Sequence, residues 1–388
     1  MKRIHIVISL LMMAASLYAQ QSVEEILLLI EQNNTTLQAA ADRIELSKQE
    51  VMLETAWENP QIGFDYLWGK PGMIGRRKDV NINQTFDLTT LLGYRKKLAH
   101  TQQELLDLDL FEQVAEIELQ ALDLMAQLTY YNQVIEIYDE RLSQAEKLVK
   151  AFERRLAEGD ANKLELNSVR LDKAEVEADS ERCRTERDLL LLELQRMCGG
   201  VEIAFDATDY LALEGKMEFS VRDVREARGL QQQEVAEADL QATRAQSLPT
   251  IAAGYMAELT EDEKWRGVTL SVSIPLWGNR KNVRRAKLRL QSARSETSDI
   301  TFQLEQATQS QRLRTERYHE IALRLKQQLD AAGSEPLLRK ALLEGEISLV
   351  DYTVEVAGIF ALRLKALEAE RDYQQARLLL SGMLKTNE

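Results

Sequence analysis

Between Tyr94 and Glu158 the chain contains neither glycine nor proline. Leu, Glu, Gln, Ala, Lys and Arg dominate this stretch, and these are strong helix formers. One helix of that length is a rod of roughly 100 Å, far beyond the usual helix of a globular domain. Such a rod persists in water only by packing lengthwise on others. Leu105, Leu108, Ala115, Leu119, Leu122 and Ala126 recur at the three-, four- and seven-residue spacings of a packing seam. Elsewhere, residues 22–59, 160–198, 230–248 and 279–332 are equally free of helix breakers. Long helices are therefore expected over 94–158, 160–198, 230–247 and 279–332. Pro336 predicts a kink in the helix that holds it, and residues 201–205 read as a short strand.

The breakers themselves recur. Leu156-Ala-Glu158-Gly159-Asp160 returns as Leu342-Leu-Glu344-Gly345-Glu346, and Pro60-x-Ile62-x-x-x-Tyr66 returns as Pro249-x-Ile251-x-x-x-Tyr255. Val80-x-Ile82 returns as Val268-x-Leu270, and Gly93-Tyr-Arg95-Lys96 as Gly278-Asn-Arg280-Lys281. Four landmarks in one order, at offsets of about 185 to 189 residues, indicate an internal duplication. Two repeats are expected, about 20–205 and 220–388. Each reads strand, loop, strand, long helix, tight turn, helix.

Around the Pro and Gly stations the period falls to two. Ile62, Phe64, Tyr66 and Trp68 alternate with mostly small or polar residues, as do Val80, Ile82, Phe86 and Leu88, with Gln84 the exception. Ile251 to Leu259 alternates weakly, and Val268, Leu270, Val272, Ile274 and Leu276 alternate cleanly. About nine residues at period two is the length and pattern of a strand in a membrane barrel. The intervening Asn81, Asn83, Thr85, Asp87, Thr269, Ser271 and Ser273 suit a wet lumen, and all four tryptophans lie in or beside these segments. A soluble sheet capping a coiled coil alternates too. Count separates the two readings. Four strands cannot close a barrel, for which about eight is the practical minimum, and lipid forbids open edges. A barrel shared between chains meets both constraints.

Composition removes other classes. The formal charge of −14, without large basic clusters, argues against nucleic acid as a partner. Arg76-Arg77-Lys78 and residues 280–285 are locally basic, and each reads as a solvated segment beside a strand end. His5, His100 and His319 are single and far apart, so no metal set at ligand spacing is expected. No phosphate-binding loop is visible. The expectation is a protein with no enzyme activity, no cofactor and no metal. Lys2 and Arg3, an apolar run to Met13 and Leu17-Tyr18-Ala19 read as a signal peptide over residues 1–19. Cys183 and Cys198, if on one helix, lie about 22 Å apart, too far for a disulfide.

Signal segment, duplicated hairpins, long and short helices and the two Gly-acid turns together resemble the TolC-like outer-membrane efflux proteins. The shorter length is similar to the branch paired with heavy-metal and drug exporters. The resemblance implies a mainly α chain with a membrane β-barrel portion, four strands per chain joining a twelve-stranded barrel in a homotrimer. Long helical hairpins would continue the barrel as an α-barrel across the periplasm. It further implies a passive duct in the cell outer membrane. Its partners would be outer-membrane lipid, a periplasmic adaptor (membrane fusion protein) and an inner-membrane pump of the resistance-nodulation-division type. A periplasmic coiled-coil adaptor or structural protein is the alternative. An adaptor predicts one helical hairpin rather than two.

At the turns, Gly159 and Gly345 suit a backbone of positive φ, and Asp160 and Glu346 suit the start of the next helix. The resemblance makes both turns a periplasmic tip where Leu156, Glu158, Gly159, Asp160, Leu342, Glu344, Gly345 and Glu346 meet the adaptor. Leu156 and Leu342 are expected there as exposed contact residues. By position, Asp351 matches an acid that rings the narrow entrance in that family, and Glu165 is its counterpart in the first half. The family's companion acid falls on Val354 and its companion base on Ile347, which departs from a two-ring, salt-bridged gate.

Overall fold

The computed structural model describes residues 22–69, 75–210, 220–260, 262–275, 279–331 and 335–384. The expected signal segment, Leu276, Trp277 and Gly278 fall outside these residues. In chain order the elements are α1 (Val23–Asn33), α2 (Thr35–Leu53), β1 (Gln61–Trp68), β2 (Arg76–Asp87), α3 (Leu88–Leu91), α4 (Tyr94–Glu158) and α5 (Lys163–Met197). There follow α6 (Val221–Ala245), β3 (Thr250–Leu259), β4 (Lys264–Ser273), α7 (Asn279–Ala331), α8 (Glu335–Glu344) and α9 (Leu349–Met383). Helix α4 has the bounds its missing breakers predict.

Three local readings change and one break appears that no glycine or proline marks, each for a visible reason. The first breaker-free stretch divides at Asn34, which has no Gly or Pro beside it. The Asn34 side chain accepts hydrogen bonds from the Thr36 and Leu37 amides at 2.9 and 3.0 Å and donates to Met197 O at 3.0 Å. One side chain thus caps the start of α2 and the end of α5. Residues 201–205 form no strand. The Asn132 amide donates to the carbonyls of Phe205 and Ala207, and Gln133 to that of Thr208, so side chains of α4 satisfy this backbone in place of a partner strand. Helix α6 begins at Val221 and runs through Gly229, where Thr297 Oγ1 donates to the Gly229 carbonyl at 2.8 Å. A Cβ at 229 would lie 3.3 Å from Thr297 Cγ2, so glycine here admits a close helix crossing. Pro336 kinks nothing. It occupies the first turn of α8, where its missing N–H has no intrahelical partner to lose.

The chain divides into two compact units. The first comprises Met1–Gln38, Gln113–Arg222 and Leu304–Glu388. Its main core joins Val23, Ile26 and Ile30 of α1 to Leu122, Met125 and Leu128 of α4, Leu194 of α5 and Leu378 of α9. Ile203 and Phe205 fill the same core, which explains why that segment is held without being a strand. Each such buried side chain contributes about 1.5–3 kcal/mol. Cys183 and Cys198 are both free thiols.

The second unit comprises Ala39–Glu112 and Asp223–Gln303. Its helices meet through small buried residues, Ala99 of α4, Ala238 and Ala242 of α6, and Ala286 and Ala293 of α7. Ion pairs Lys48–Asp107 and Arg228–Asp109 tie α2 and α6 to α4. The unit also holds the sheet, with strand order β1-β2-β3-β4 and every neighbour antiparallel. Its central pair, β2 with β3, runs in register from Lys78↔Leu259 to Asp87↔Thr250.

Candidate functional site

Residues directly opposite in an antiparallel pair point to the same face, so register assigns the two surfaces of the sheet. Ile62 opposes Ile82, Ile82 opposes Tyr255 and Tyr255 opposes Val268. The next row on the same face is Phe64, Val80, Ala257 and Arg266, and the row on the other side is Gln84, Ala253 and Leu270. One surface is therefore predominantly apolar. It is also open, with Val268 88% and Leu270 75% exposed in the single chain. The reverse surface carries Gly63, Asn81, Met256 and Gly267 in one row and Asn83, Gly254 and Thr269 in another. On it Arg77 bridges Asp79 at 2.8 Å and Glu258 at 3.1 Å, and Thr269 Oγ1 lies 3.3 Å from Asn83 Oδ1.

Trp68 and Trp265 stand exposed at one end of the sheet. Trp57 is exposed at the other, packed edge-on against Phe86 with centroids 5.6 Å apart. Twelve residues of β2, at about 3.4 Å each, span about 40 Å along the strand, which the roughly 40° tilt of strands in a membrane barrel would reduce to a rise of about 30 Å. That matches the hydrocarbon thickness of a bilayer. Among the described residues no helix is long and apolar enough to cross a membrane.

The two Gly-acid turns are built alike and packed together. Gly159 has φ of 86° and Gly345 of 77°. At the first, the Asp160 amide donates to Arg155 O at 2.8 Å and the Gly159 amide to Leu156 O at 3.2 Å. At the second, Glu346 donates to Ala341 O at 2.9 Å and Gly345 to Leu342 O at 3.2 Å. Both are Schellman closures, which require the left-handed conformation that glycine adopts without strain. The helices beside them share one apolar cluster: Leu148 and Phe152 of α4, Leu166 and Val169 of α5, Leu342 of α8, Tyr352 and Val356 of α9. Glu158, Asp160, Glu344 and Glu346 remain on the surface, Glu344 beside Lys340 at 3.8 Å.

This packing corrects the expected contact residues. Leu342 is 3% exposed, and Leu156 is half-buried against the same cluster. The apolar side chains that face outward are Leu164, Leu343, Val350 and Val354. Helical phase accounts for the exchange, because Leu338 and Leu342 are four residues apart and share the buried face. Ile347 packs on the cluster as well, so the position of the family's companion base has an apolar structural role.

Glu165 and Asp351 have identical local roles. Each is the third residue of a helix whose cap, Asn162 or Ser348, completes a capping box. Glu165 accepts from the Asn162 amide at 2.8 Å while its own amide donates to Asn162 Oδ1 at 2.9 Å. Asp351 accepts the Ser348 hydroxyl at 2.6 Å, and its amide donates to Ser348 Oγ at 3.1 Å. The pattern Asn-x-x-Glu and Ser-x-x-Asp signals this in sequence. Asp351 is exposed and Glu165 half-buried.

An ionic node escaped the sequence altogether. Arg141 of α4, 5% exposed, donates through Nη2 to both carboxylate oxygens of Asp172 of α5 at 2.8 and 2.9 Å. Its Nη1 lies 3.9 Å from Glu335 of α8. Burial raises the Glu335 carboxyl above its usual range, with Arg141 opposing the shift. Three helices meet at this guanidinium. Nothing in residue spacing brings positions so distant in sequence together.

No family model matches the sequence, and no curated protein is similar to it. Solved structures are similar over nearly the whole chain. CusC, described for its transmembrane channel formation, matches with a TM-score of 0.75 at 16% identity, covering 95% of this chain and 93% of that chain. The outer-membrane channel OprN matches at 0.76 and 13%, covering 93% and 89%. The open state of the Neisseria gonorrhoeae MtrE outer-membrane channel matches at 0.72 and 14%, covering 93% and 88%. The chain has the fold of these channels.

Proposed function

We propose that the protein is the outer-membrane duct of a tripartite efflux system, acting by passive conduction. The observation that carries this reading is the open-edged, four-stranded sheet with one exposed apolar surface. In water that surface and the free backbone groups of β1 and β4 are unfavourable. In lipid the surface is solvated, and the edges are satisfied only by strands of other chains. Three copies supply twelve strands, enough to enclose a lumen lined by Asn81, Asn83, Thr269 and Ser271. Such a lumen has few convergent binding groups, so selectivity belongs to the inner-membrane pump that delivers substrate.

In this reading residues 1–19 direct export and are removed, and the mature chain consists of two repeats, about 20–205 and 220–388. The paired turns form the periplasmic tip that meets an adaptor, through the acids Glu158, Asp160, Glu344 and Glu346 and the outward Leu164 and Leu343. Asp351, with Glu165, contributes charge at the entrance. The near-identical geometry of the two turns supports both the repeat and the shared role.

The test is fractionation of the expressing cell followed by detergent extraction and planar-bilayer recording. The expected result is a protein of the outer-membrane fraction that needs detergent, migrates as a heat-modifiable trimer and conducts ions. A monodisperse monomer in buffer without detergent overturns the reading and favours a soluble adaptor or structural protein.

A further inference from the structure

We propose that the first three turns of α7 form a docking surface for anionic phospholipid headgroups of the membrane leaflet that faces the helices. The proposal rests on the outer-membrane reading above. From Asn279 to Ser292 the sequence carries Arg280, Lys281, Arg284, Arg285, Lys287 and Arg289 and no acid, within a protein of net charge −14. Lys281, Arg284, Arg285 and Arg289 line one shallow exposed groove with Leu288 at its centre. Their spacing places them on one helix face, turned away from the buried stripe of Ala286, Ala293 and Thr297. Arg289 reaches Asp239 at 3.4 Å. Among the described residues Lys281, Arg284 and Arg285 have no acidic partner.

Depth is fixed independently of charge. Asn279 Nδ2 donates to Thr243 O at 2.7 Å and to Ser247 Oγ at 2.6 Å, so the first residue of α7 is pinned beside the end of α6. Three residues later the chain enters β3 at Thr250, which opposes Asp87 and Ser273, the last residues of β2 and β4. On the apolar surface the last paired row is Phe86, Ile251 and Val272, one residue inside, and exposed Ile274 follows one residue beyond. Exposed Trp57, against Phe86, marks the same level as a girdle residue does. From there Lys281 to Arg289 covers about 12 Å of helix axis. The polar layer on each side of a bilayer is roughly 5–8 Å thick, so the stripe begins within it and extends one turn beyond.

The chemistry is that of a phosphodiester. Guanidinium groups present paired N–H donors matched to two phosphate oxygens, and Leu288 offers an apolar contact beside them. Near an anionic leaflet each cation changes affinity by about fivefold. Four of them on one face favour phosphatidylglycerol over zwitterionic lipid.

The test uses the full-length protein in mild detergent, titrated with phosphatidylglycerol or phosphatidylcholine and read by native mass spectrometry as lipids retained per trimer. Wild type is expected to retain phosphatidylglycerol at least tenfold more tightly. The variant K281Q/R284Q/R285Q/R289Q is expected to lose that preference while remaining a trimer, and R312Q/R314Q, farther along the same helix, is expected to keep it. Equal retention of the two lipids by wild type, or an unchanged preference in the quadruple variant, overturns the proposal. So does displacement of the lipid by 10 mM inorganic phosphate, which would make the stripe a site for soluble anions. A quadruple variant with intact lipid preference but altered single-channel conductance would assign the stripe to the lumen. If that variant fails to trimerise, wild type decides, since the preference must fall steeply between 0.05 and 0.5 M NaCl. A conducting trimer without lipid preference refutes this proposal alone, whereas a soluble monomer refutes the duct reading.

Discussion

Replacing Leu270 with Arg, and separately Ser271 with Arg, compares adjacent residues that the register sends to opposite surfaces. Leu270 is 75% exposed in the single chain, near the middle of β4, opposite Ala253 on the apolar surface. If that surface meets hydrocarbon, an arginine near the midplane costs roughly 2–4 kcal/mol per chain. Three chains in one barrel make that roughly 6–12 kcal/mol per assembly, enough to prevent closure or to lower the unfolding midpoint sharply. Ser271, beside Ala252 on the polar surface, leaves the new guanidinium in water, at a cost within about 0.5 kcal/mol. The assay is urea unfolding from phosphatidylcholine vesicles, with heat-modifiable gel mobility as the measure of assembly. Equal loss at both positions, or none at either, refutes the assignment of the two surfaces. A soluble sheet would show little difference between them.

Other expectations follow from the turns, the node and the thiols. Gly345→Val places a β-branched residue at φ of 77° with no atom within 4 Å of the new Cβ, so the cost is backbone strain of about 1–3 kcal/mol. Trimers should survive by gel while export falls, and normal export would remove the turn from the docking role. Asp351→Asn should lower cation preference in single-channel recordings, whereas Asp351→Ala should also loosen the capping box by about 1 kcal/mol, seen as faster amide exchange at the start of α9. Glu335, with its folded-state pKa raised by burial, binds its proton more tightly folded than unfolded, so its ionisation opposes folding as pH rises through the folded value. Glu335→Gln should therefore raise the thermal midpoint at pH 7 and abolish the part of the acid-side gain that Glu335 supplies. Burial pushes the Cys198 thiol up to about 11 and raises Cys183 as well, so neither should react with a disulfide reagent at pH 8 until the protein unfolds.

The long helices were legible because their information is local. A stretch without Gly or Pro and rich in helix formers leaves α4 little else to be. The alternation of β4 likewise revealed its two surfaces, and strict register then carried that assignment across the whole sheet. Asn34 carried a local signal, an N-cap for the Thr36 and Leu37 amides, but its second anchor, Met197, lies far along the chain. The same holds for residues 201–205, whose apolar alternation serves a helical core. At the turns, Gly159 and Gly345 announced their conformation, and the capping boxes of Glu165 and Asp351 were present as short patterns that charge alone obscured. Arg141 with Asp172 and Glu335 had no local signal, because a buried ion pair is a property of the packed helices.

The open order β1-β2-β3-β4 has a consequence for biogenesis. Both outer strands expose a row of backbone donors and acceptors, and one surface is apolar, so on the duct reading proposed above the exported chain would cross an aqueous compartment carrying an adhesive ribbon. Among the described residues no further strand pairs with either margin. Closure then depends on meeting other copies, which makes ribbon formation a collision-limited step whose yield changes with chain concentration, while each helical core collapses on its own schedule. Overproduction favours edge-to-edge aggregates at this stage, and a binding factor that shields the ribbon until the bilayer receives it would raise the yield without altering the finished channel.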